Sequence, residues 1–246
     1  MNLWRLIGLN LLTAAGYYVT GALGLTLAIP PGTATAVWLP SGLALAALVL
    51  LSPRAFVGVW AGSFMVNATT TPASAGLSAV IASGSTLQAL AGYWLMKHAG
   101  IIEQPQRSLA DTWKLIGVVL SMCLLAALVG VGGLLATSAI GPSAAPYNFG
   151  VWYLGDVVGI LCGFPVINAF TRRPSALVTH WSGYGSAYLF GVLTLAAMIL
   201  YSRLPIYFLL LPPLMFGAYY FPMRSVALTN LLLMIECVLL TRSGYG

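Results

Sequence analysis

The chain is a succession of long apolar stretches separated by short polar or proline-containing breaks. Nine stretches can be drawn, at Leu6–Ile29, Thr35–Leu51, Ala55–Thr71, Ala75–Met96, Trp113–Ala139, Gly150–Phe170, Tyr184–Tyr201, Leu204–Phe221 and Met223–Leu240. Each has about the 17–25 residues with which an α-helix crosses the hydrocarbon core of a membrane. Transmembrane β-strands would instead alternate apolar and polar residues over runs of ~10. The pattern therefore predicts an all-α, polytopic transmembrane helical bundle with about eight or nine membrane-spanning helices.

Prolines and glycines interrupt several of these stretches. Pro40 is followed by Ser41 and Gly42, Pro165 lies inside the sixth stretch, and two adjacent prolines at 212–213 divide the eighth. Proline removes a backbone donor and kinks or breaks a helix. In a membrane, such breaks persist only where protein or a cavity satisfies the freed carbonyl groups. We therefore expect some broken helices. No linker separates two domains, so residues 1–246 are predicted to form a single integral membrane domain.

The composition excludes a soluble protein. Charged residues make up 6% of the 246 residues and hydrophobic residues 60%, whereas soluble domains have roughly 25% charged residues. A soluble fold with so few charges would expose large apolar patches and aggregate. The formal net charge is +6, but the basic residues are scattered instead of forming a stripe, so no nucleic acid partner is expected. Cys123, Cys162 and Cys237 lie in apolar stretches without CxxC spacing and are expected to be free, buried thiols.

The distribution of basic residues predicts the orientation. With a cytoplasmic amino terminus, eight basic residues fall on the inside and only Arg203 and Arg242 on the outside. The inside residues are Arg5, Arg54, Lys97, Arg107, Lys114, Arg172, Arg173 and Arg224. Because Lys and Arg accumulate in cytoplasmic loops, we predict a multi-pass protein of the bacterial inner membrane with its amino terminus in the cytoplasm.

Asp156 is the strongest candidate for a functional residue. A carboxylate at the centre of the bilayer costs at least ~2.5–3.5 kcal/mol, so it normally faces a partner or water. At helical spacing, Trp152 and Gly155 share its face. Gly155, Gly159 and Gly163 form a ladder of small residues that permits close helix approach. Two interpretations stay open: an acid that lines a ligand or proton cavity, or a structural acid that bonds neighbouring helices.

Depth suggests where such a cavity would open. In the predicted topology Asp156 and Asn67 lie ~9 Å from the outer ends of their helices, and Gln88 lies ~20 Å from its outer end. Asn67 and Gln88 could instead only join helices by hydrogen bonds. We expect an outward-facing intramembrane cavity. Its candidate ligand-binding or signalling residues are Trp38, Pro40, Asn67, Gln88, Trp152, Gly155 and Asp156.

The sequence gives no support for catalysis. It contains no HExxH, P-loop, GxSxG or CxxC motif, and no histidine accompanies a carboxylate at ligand spacing. Glu236 lies about five residues before Thr241 and Arg242, so we expect it to reach the outer interface or to pair with Arg242. We therefore predict a protein that is not an enzyme and that has no catalytic residues, cofactor or metal site.

Three segments together resemble a known family. The first runs from Tyr18 through Pro30, Pro31 and Gly32 to the Trp-Leu-Pro-Ser-Gly run at 38–42; the others are Ser-Thr-Leu-Gln at 85–88 and Trp-Tyr-Leu-Gly-Asp at 152–156. They resemble the membrane-associated sensor domain of the first MASE type, and the resemblance covers nearly the whole chain. The chain has Ser85 and Gln88 where the family pattern tends to have Asn and Glu, so a charge-dependent role is not carried over to position 88.

The resemblance implies a non-catalytic integral membrane sensory module for bacterial signal transduction. Family members form the input part of histidine kinases and diguanylate cyclases. The implied partners are therefore the lipid bilayer, an unidentified small ligand and a cytoplasmic cyclase or kinase output domain in cis or trans, with a possible homodimer. No soluble output domain is expected within residues 1–246. Two alternatives stay open: a small-molecule transporter or substrate-binding membrane subunit, and a scaffold that only anchors and dimerises its partners.

Overall fold

The computed structural model describes residues 2–26, 35, 37–70, 73–103, 108–172, 182–204 and 206–245. Within these residues the chain forms nine α-helices and no β-strand. The helices are α1 (Leu3–Thr26), α2 (Leu39–Ala46), α3 (Phe56–Thr70), α4 (Ala75–His98), α5 (Leu109–Ala136), α6 (Ala145–Thr171), α7 (Gly185–Ser202), α8 (Leu211–Tyr220) and α9 (Met223–Arg242). The predicted all-α bundle is confirmed. The Pro30–Pro31–Gly32 turn, Arg107 and Arg173 lie outside the described residues.

Five helical stretches of the described chain are long and apolar enough to cross a membrane. These stretches are Leu3–Thr26, Leu109–Ala136, Pro142–Thr171, Gly185–Ser202 and Met223–Arg242. The apolar helical stretches Leu39–Leu51 and Tyr207–Tyr220 are shorter. Each short stretch begins near proline: Pro40 lies in the first turn of α2, and the prolines at 212–213 lie in the first turn of α8. Proline is tolerated there because the first N–H groups of a helix have no intrahelical partner.

The chain divides into two compact units, Met1–Phe164 and Pro165–Gly246. In the first unit α1 packs against α2 and α3, and α4 packs against α2, α3 and α5. Its core includes the buried side chains of Tyr17, Leu48, Val59 and Val66. These side chains come from α1, the helical stretch that begins with α2, and α3, so three segments of the chain converge on one core.

The second unit has a smaller core. Helices α7 and α8 both pack against α9. Tyr188, Val192 and Phe221 are its buried core residues, and the Tyr188 and Phe221 rings stack with their centroids 4.5 Å apart.

The second predicted stretch is a short helix with a widened end. Leu39–Ala46 is α-helical, and Ala47–Leu51 continues it as a π-helix. The side chain of Ser52 then accepts a hydrogen bond from the Arg54 N–H, which starts the 3₁₀ turn Pro53–Ala55 before α3. Helix α2 thus begins four residues later than the predicted start at Thr35.

Candidate functional site

A group of buried and half-buried polar side chains lies in the first unit, although the surrounding helices are apolar. We call this group the Asp156 cluster. It consists of Tyr17 on α1, Trp38 and Ser41 at the start of α2, Ser63 on α3, Ser85 and Gln88 on α4, and Asp156 on α6. Five helices therefore contribute to it.

Asp156 is bonded to the start of α2. The Ser41 hydroxyl donates to Asp156 Oδ1 at 2.5 Å, and both side chains are at least 93% buried. One residue away, the Trp38 backbone N–H donates to the Gly155 carbonyl at 2.9 Å. Hydrogen bonds of a hydroxyl to an ionised carboxylate are short, about 2.5–2.7 Å. These two bonds fix the first turn of α2 against α6.

Glycines let α2 and α6 approach this closely. A methyl group on Gly42 would lie 2.6 Å from the Gly159 carbonyl oxygen and 3.2 Å from the Gly163 Cα. A methyl group on Gly159 would overlap the backbone of Trp38. The prediction that the small-residue ladder of α6 permits close helix approach is confirmed, and the partner is α2.

Gln88 lies beside the carboxylate but is not fully bonded. Its side-chain amide approaches Asp156, whereas its Oε1 is buried without a hydrogen-bond partner among the described residues. An unpaired buried polar atom typically costs about 1–3 kcal/mol. The cluster therefore has an unused acceptor next to its single carboxyl group.

Tyr17 connects the carboxyl region to α3 and α4. Its hydroxyl accepts a hydrogen bond from Trp38 Nε1 at 3.3 Å, and the Ser63 and Ser85 hydroxyls approach it. Those two serine hydroxyls are 3.3 Å apart. Tyr17 is 1% exposed, whereas Trp38 and Ser85 are half-buried.

The cluster lies near the middle of α6. Asp156 follows Ala145, the first residue of α6, by eleven residues, or about 16 Å at 1.5 Å per residue. The predicted start at Gly150 gives only ~9 Å, because the sequence pattern places Ile140–Asn148 in a loop. Gln88 lies about 20 Å from the first residue of α4. The carboxyl group is therefore deeper than the sequence pattern suggested.

The structure brings together some predicted site residues and separates others. Trp38, Gln88, Gly155 and Asp156 meet in the cluster. Pro40 is buried in the first turn of α2. The remaining two residues, Trp152 and Asn67, lie outside the cluster.

Trp152 and Asn67 make other contacts. The Trp152 ring packs so closely on α5 that a methyl group on Gly130 would overlap it. Asn67 Nδ2 donates to the Ser63 carbonyl of its own helix at 2.8 Å. Neither contact involves Asp156.

Ser41 and Tyr17 belong to the site, although the sequence pattern does not indicate them. Both carry a hydroxyl inside an apolar stretch, which is the signal that could have indicated them. Ser41 pairs with a residue 115 positions away, and no local pattern encodes such a contact. The same holds for Ser63, because its contacts also join residues that are distant in sequence.

The chemistry of the cluster is that of hydrogen bonding and charge. It offers one carboxyl group, hydroxyls, an amide and an indole N–H, and no described basic side chain contacts the carboxyl group. The described residues contain no group of three His, Cys, Asp or Glu side chains that could hold a metal ion. Such a site can exchange a proton, bind a small polar ligand or change its hydrogen-bond partners.

Comparison with known proteins identifies the family of this chain. A family model named MASE1 matches residues 9–246. No curated protein and no solved structure matches the chain. The match covers nearly the whole chain, including the helices that carry the Asp156 cluster. This chain therefore belongs to the MASE1 family of membrane-associated sensor domains of signalling proteins.

Proposed function

We propose that this chain is a non-catalytic input module of a bacterial signalling system and that the Asp156 cluster is its signal-responsive site. The observation that carries the proposal is the buried Ser41–Asp156 hydrogen bond of 2.5 Å, which holds the start of α2 on α6. A carboxyl group without a basic partner is costly in a membrane and is normally kept there for a function.

The proposed signal is a small ligand or proton that changes the bonds of Asp156. A ligand shifts a conformational equilibrium only by its differential affinity for the two states. Gln88 Oε1, which is unpaired among the described residues, is an acceptor that such a ligand could use. The ligand would reach the site through a cavity that opens outward near Trp38 and Asn67. It would release α2 from α6 and change the output of a cyclase or kinase joined in cis or bound in trans.

The orientation is part of the proposal. With the amino terminus in the cytoplasm, the Pro142–Ala144 turn is outside and the connection after α4 is inside. An impermeant maleimide applied to intact spheroplasts should label Ser143→Cys and not Glu103→Cys, in a background without native cysteines. Both positions are exposed. Labelling of Glu103→Cys alone would contradict this orientation.

The central test uses Asp156→Asn in the full chain, joined to a cyclase output domain in a reporter strain. The amide keeps an acceptor for Ser41 but removes the negative charge and the exchangeable proton. We expect the variant to insert and elute like the parent on size-exclusion chromatography, while its cyclic di-GMP output no longer follows changes of external pH and solutes. Glu236→Gln on α9 is the matched control, because it makes the same chemical change outside the cluster. A parent-like response of Asp156→Asn would refute the proposal.

A transporter is the second candidate, and the short helix α2 favours it. Its start lies beside a carboxyl group at mid-helix depth, and many transporters bind substrate at such discontinuous helices. Proteoliposomes with an internal pH-sensitive dye and an imposed pH gradient would show whether the protein transports protons or only senses them. Proton influx that Asp156→Asn abolishes would favour transport, whereas parent liposomes as tight as empty ones would favour sensing.

A further inference from the structure

A groove lies between the first halves of α1 and α3, away from the Asp156 cluster. Its volume is about 450 Å³, within the roughly 300–1,000 Å³ typical of small-molecule sites. Its apolar wall includes Leu6, Ile7 and Leu11 of α1 and Phe56, Val57 and Ala61 of α3. A single small molecule fits this volume, whereas a protein partner would need a far larger surface.

The amide of Asn10 in this wall is engaged in hydrogen bonds within the protein. Asn10 Oδ1 accepts from the Gly58 backbone N–H at 2.7 Å. Asn10 Nδ2 donates to the Leu6 carbonyl at 2.9 Å. Both groups of the amide are therefore engaged in joining α1 to α3. An occupant of the groove must be apolar along most of its length.

One end of the groove is different, because Arg54 lines it. Arg54 lies on the 3₁₀ turn Pro53–Ala55, which the Ser52 side chain fixes by accepting from the Arg54 backbone N–H at 3.2 Å. The Arg54 side chain is exposed and has no bonding partner among the described residues. Its guanidinium group is therefore available, at the edge of an apolar groove, for an anion that it can hold with two parallel hydrogen bonds.

We propose that this groove binds an anionic phospholipid, with an acyl chain along α1 and α3 and the phosphate on Arg54. The two requirements are an apolar body and an anionic group at one end, and a phospholipid meets both. The acyl chain exchanges one apolar environment for another when it leaves the bilayer for the groove, so the apolar wall sets the fit and the arginine selects the charged headgroup. Phosphatidylglycerol, which has a net negative charge, should bind in preference to phosphatidylcholine, which has none.

The test is native mass spectrometry of the full chain, purified with equimolar phosphatidylglycerol and phosphatidylcholine of the same acyl chains. The parent should retain phosphatidylglycerol in excess. Arg54→Gln should lower this preference about tenfold, because charge-assisted hydrogen bonds are lost. Arg54→Lys, which keeps the charge without the bidentate geometry, should lie between them. Lys97→Gln is the matched control: Lys97 is exposed in the last turn of α4 and does not line the groove.

A second variant tests the groove itself. Ala61→Leu adds bulk to the apolar wall while Arg54 stays in place, and we expect it to release the bound lipid while the protein elutes as the parent does. The proposal is overturned if Arg54→Gln keeps the parent's lipid preference, or if Lys97→Gln lowers that preference as much. It is also overturned if Arg54→Gln changes the amount of dimer instead of the amount of bound lipid.

Discussion

The substitution Gly42→Ala tests whether close contact of α2 with α6 maintains the Asp156 cluster. The added methyl group would lie 2.6 Å from the Gly159 carbonyl oxygen and 3.0 Å from the Phe164 nitrogen. Both atoms belong to the backbone of α6, so no side chain can rotate away. To restore an ordinary contact of 3.4 Å, α2 must retreat by about 0.8 Å.

That retreat is enough to weaken the bonds between α2 and α6. It would lengthen the Ser41–Asp156 bond from 2.5 Å to about 3.3 Å and the Trp38–Gly155 bond from 2.9 Å to about 3.7 Å. Hydroxyl hydrogen bonds are usually ~2.5–3.0 Å long and amide bonds ~2.7–3.2 Å. The first bond should therefore be weakened and the second lost.

The expected loss of stability combines three effects. Overpacking costs about 1–3 kcal/mol, and each interhelical hydrogen bond in a membrane contributes ~0.6–2 kcal/mol. The higher helix propensity of alanine returns about 0.5–1 kcal/mol. The free energy of unfolding should thus fall by roughly 1–6 kcal/mol. In thermal unfolding in detergent, followed by tryptophan fluorescence, this appears as a clearly lower midpoint.

The matched control is Gly150→Ala on α6, because a methyl group there would meet nothing within 4 Å. It should unfold at the parent temperature or slightly higher. The reasoning is refuted if Gly42→Ala also unfolds at or above the parent temperature. A reporter fusion adds a second measurement, in which Gly42→Ala should alter signalling in the same direction as Asp156→Asn.

Two further substitutions test packing elsewhere. Gly62→Ala would place a methyl group 2.7 Å from the Ala14 carbonyl oxygen; it should separate α1 from α3 and lower the unfolding midpoint, whereas Gly8→Ala, in open space, should not. Tyr188→Phe should raise the free energy of unfolding by about 1 kcal/mol. The reason is that the Tyr188 hydroxyl is buried against Gly217 without a hydrogen-bond partner among the described residues. A fall of similar size in the free energy of unfolding, in the same thermal assay, would contradict this.

The helices were largely predictable because apolar length is a direct physical requirement of the bilayer. The last stretch was predicted at Met223–Leu240 and is Met223–Arg242, and the seventh was predicted one residue early at each end. Prolines were a partial guide: Pro40 and the prolines at 212–213 lie in the first turns of α2 and α8, whereas Pro165 lies inside α6, which continues through it. The start of α6 was missed because Ala145–Phe149 contain proline, tyrosine and asparagine, which look like loop residues. A proline in the first turn is compatible with a helix.

The candidate site was only partly predictable. A lone carboxylate in an apolar stretch identified Asp156, since its burial is costly wherever it occurs. Its neighbours come from helices that are distant in sequence, and tertiary packing determines which of their polar residues meet. Gln88 approaches the carboxyl group, whereas Asn67, with a similar side chain, bonds within its own helix. The sequence pattern did not distinguish these two residues.

The π-helical end of α2 contains one residue more than an α-helical turn in the same place would contain. Ala47–Leu51 closes its hydrogen bonds five residues apart instead of the four of an α-helix. If these residues became α-helical, the helix would shift by one residue relative to Ser52. This shift equals a translation of 1.5 Å along the helix axis and a rotation of about 100°. Such a conversion would turn the start of α2, which carries Ser41, relative to Ser52 at the other end of the helix. A shift of one residue would therefore change which residue of α2 faces Asp156.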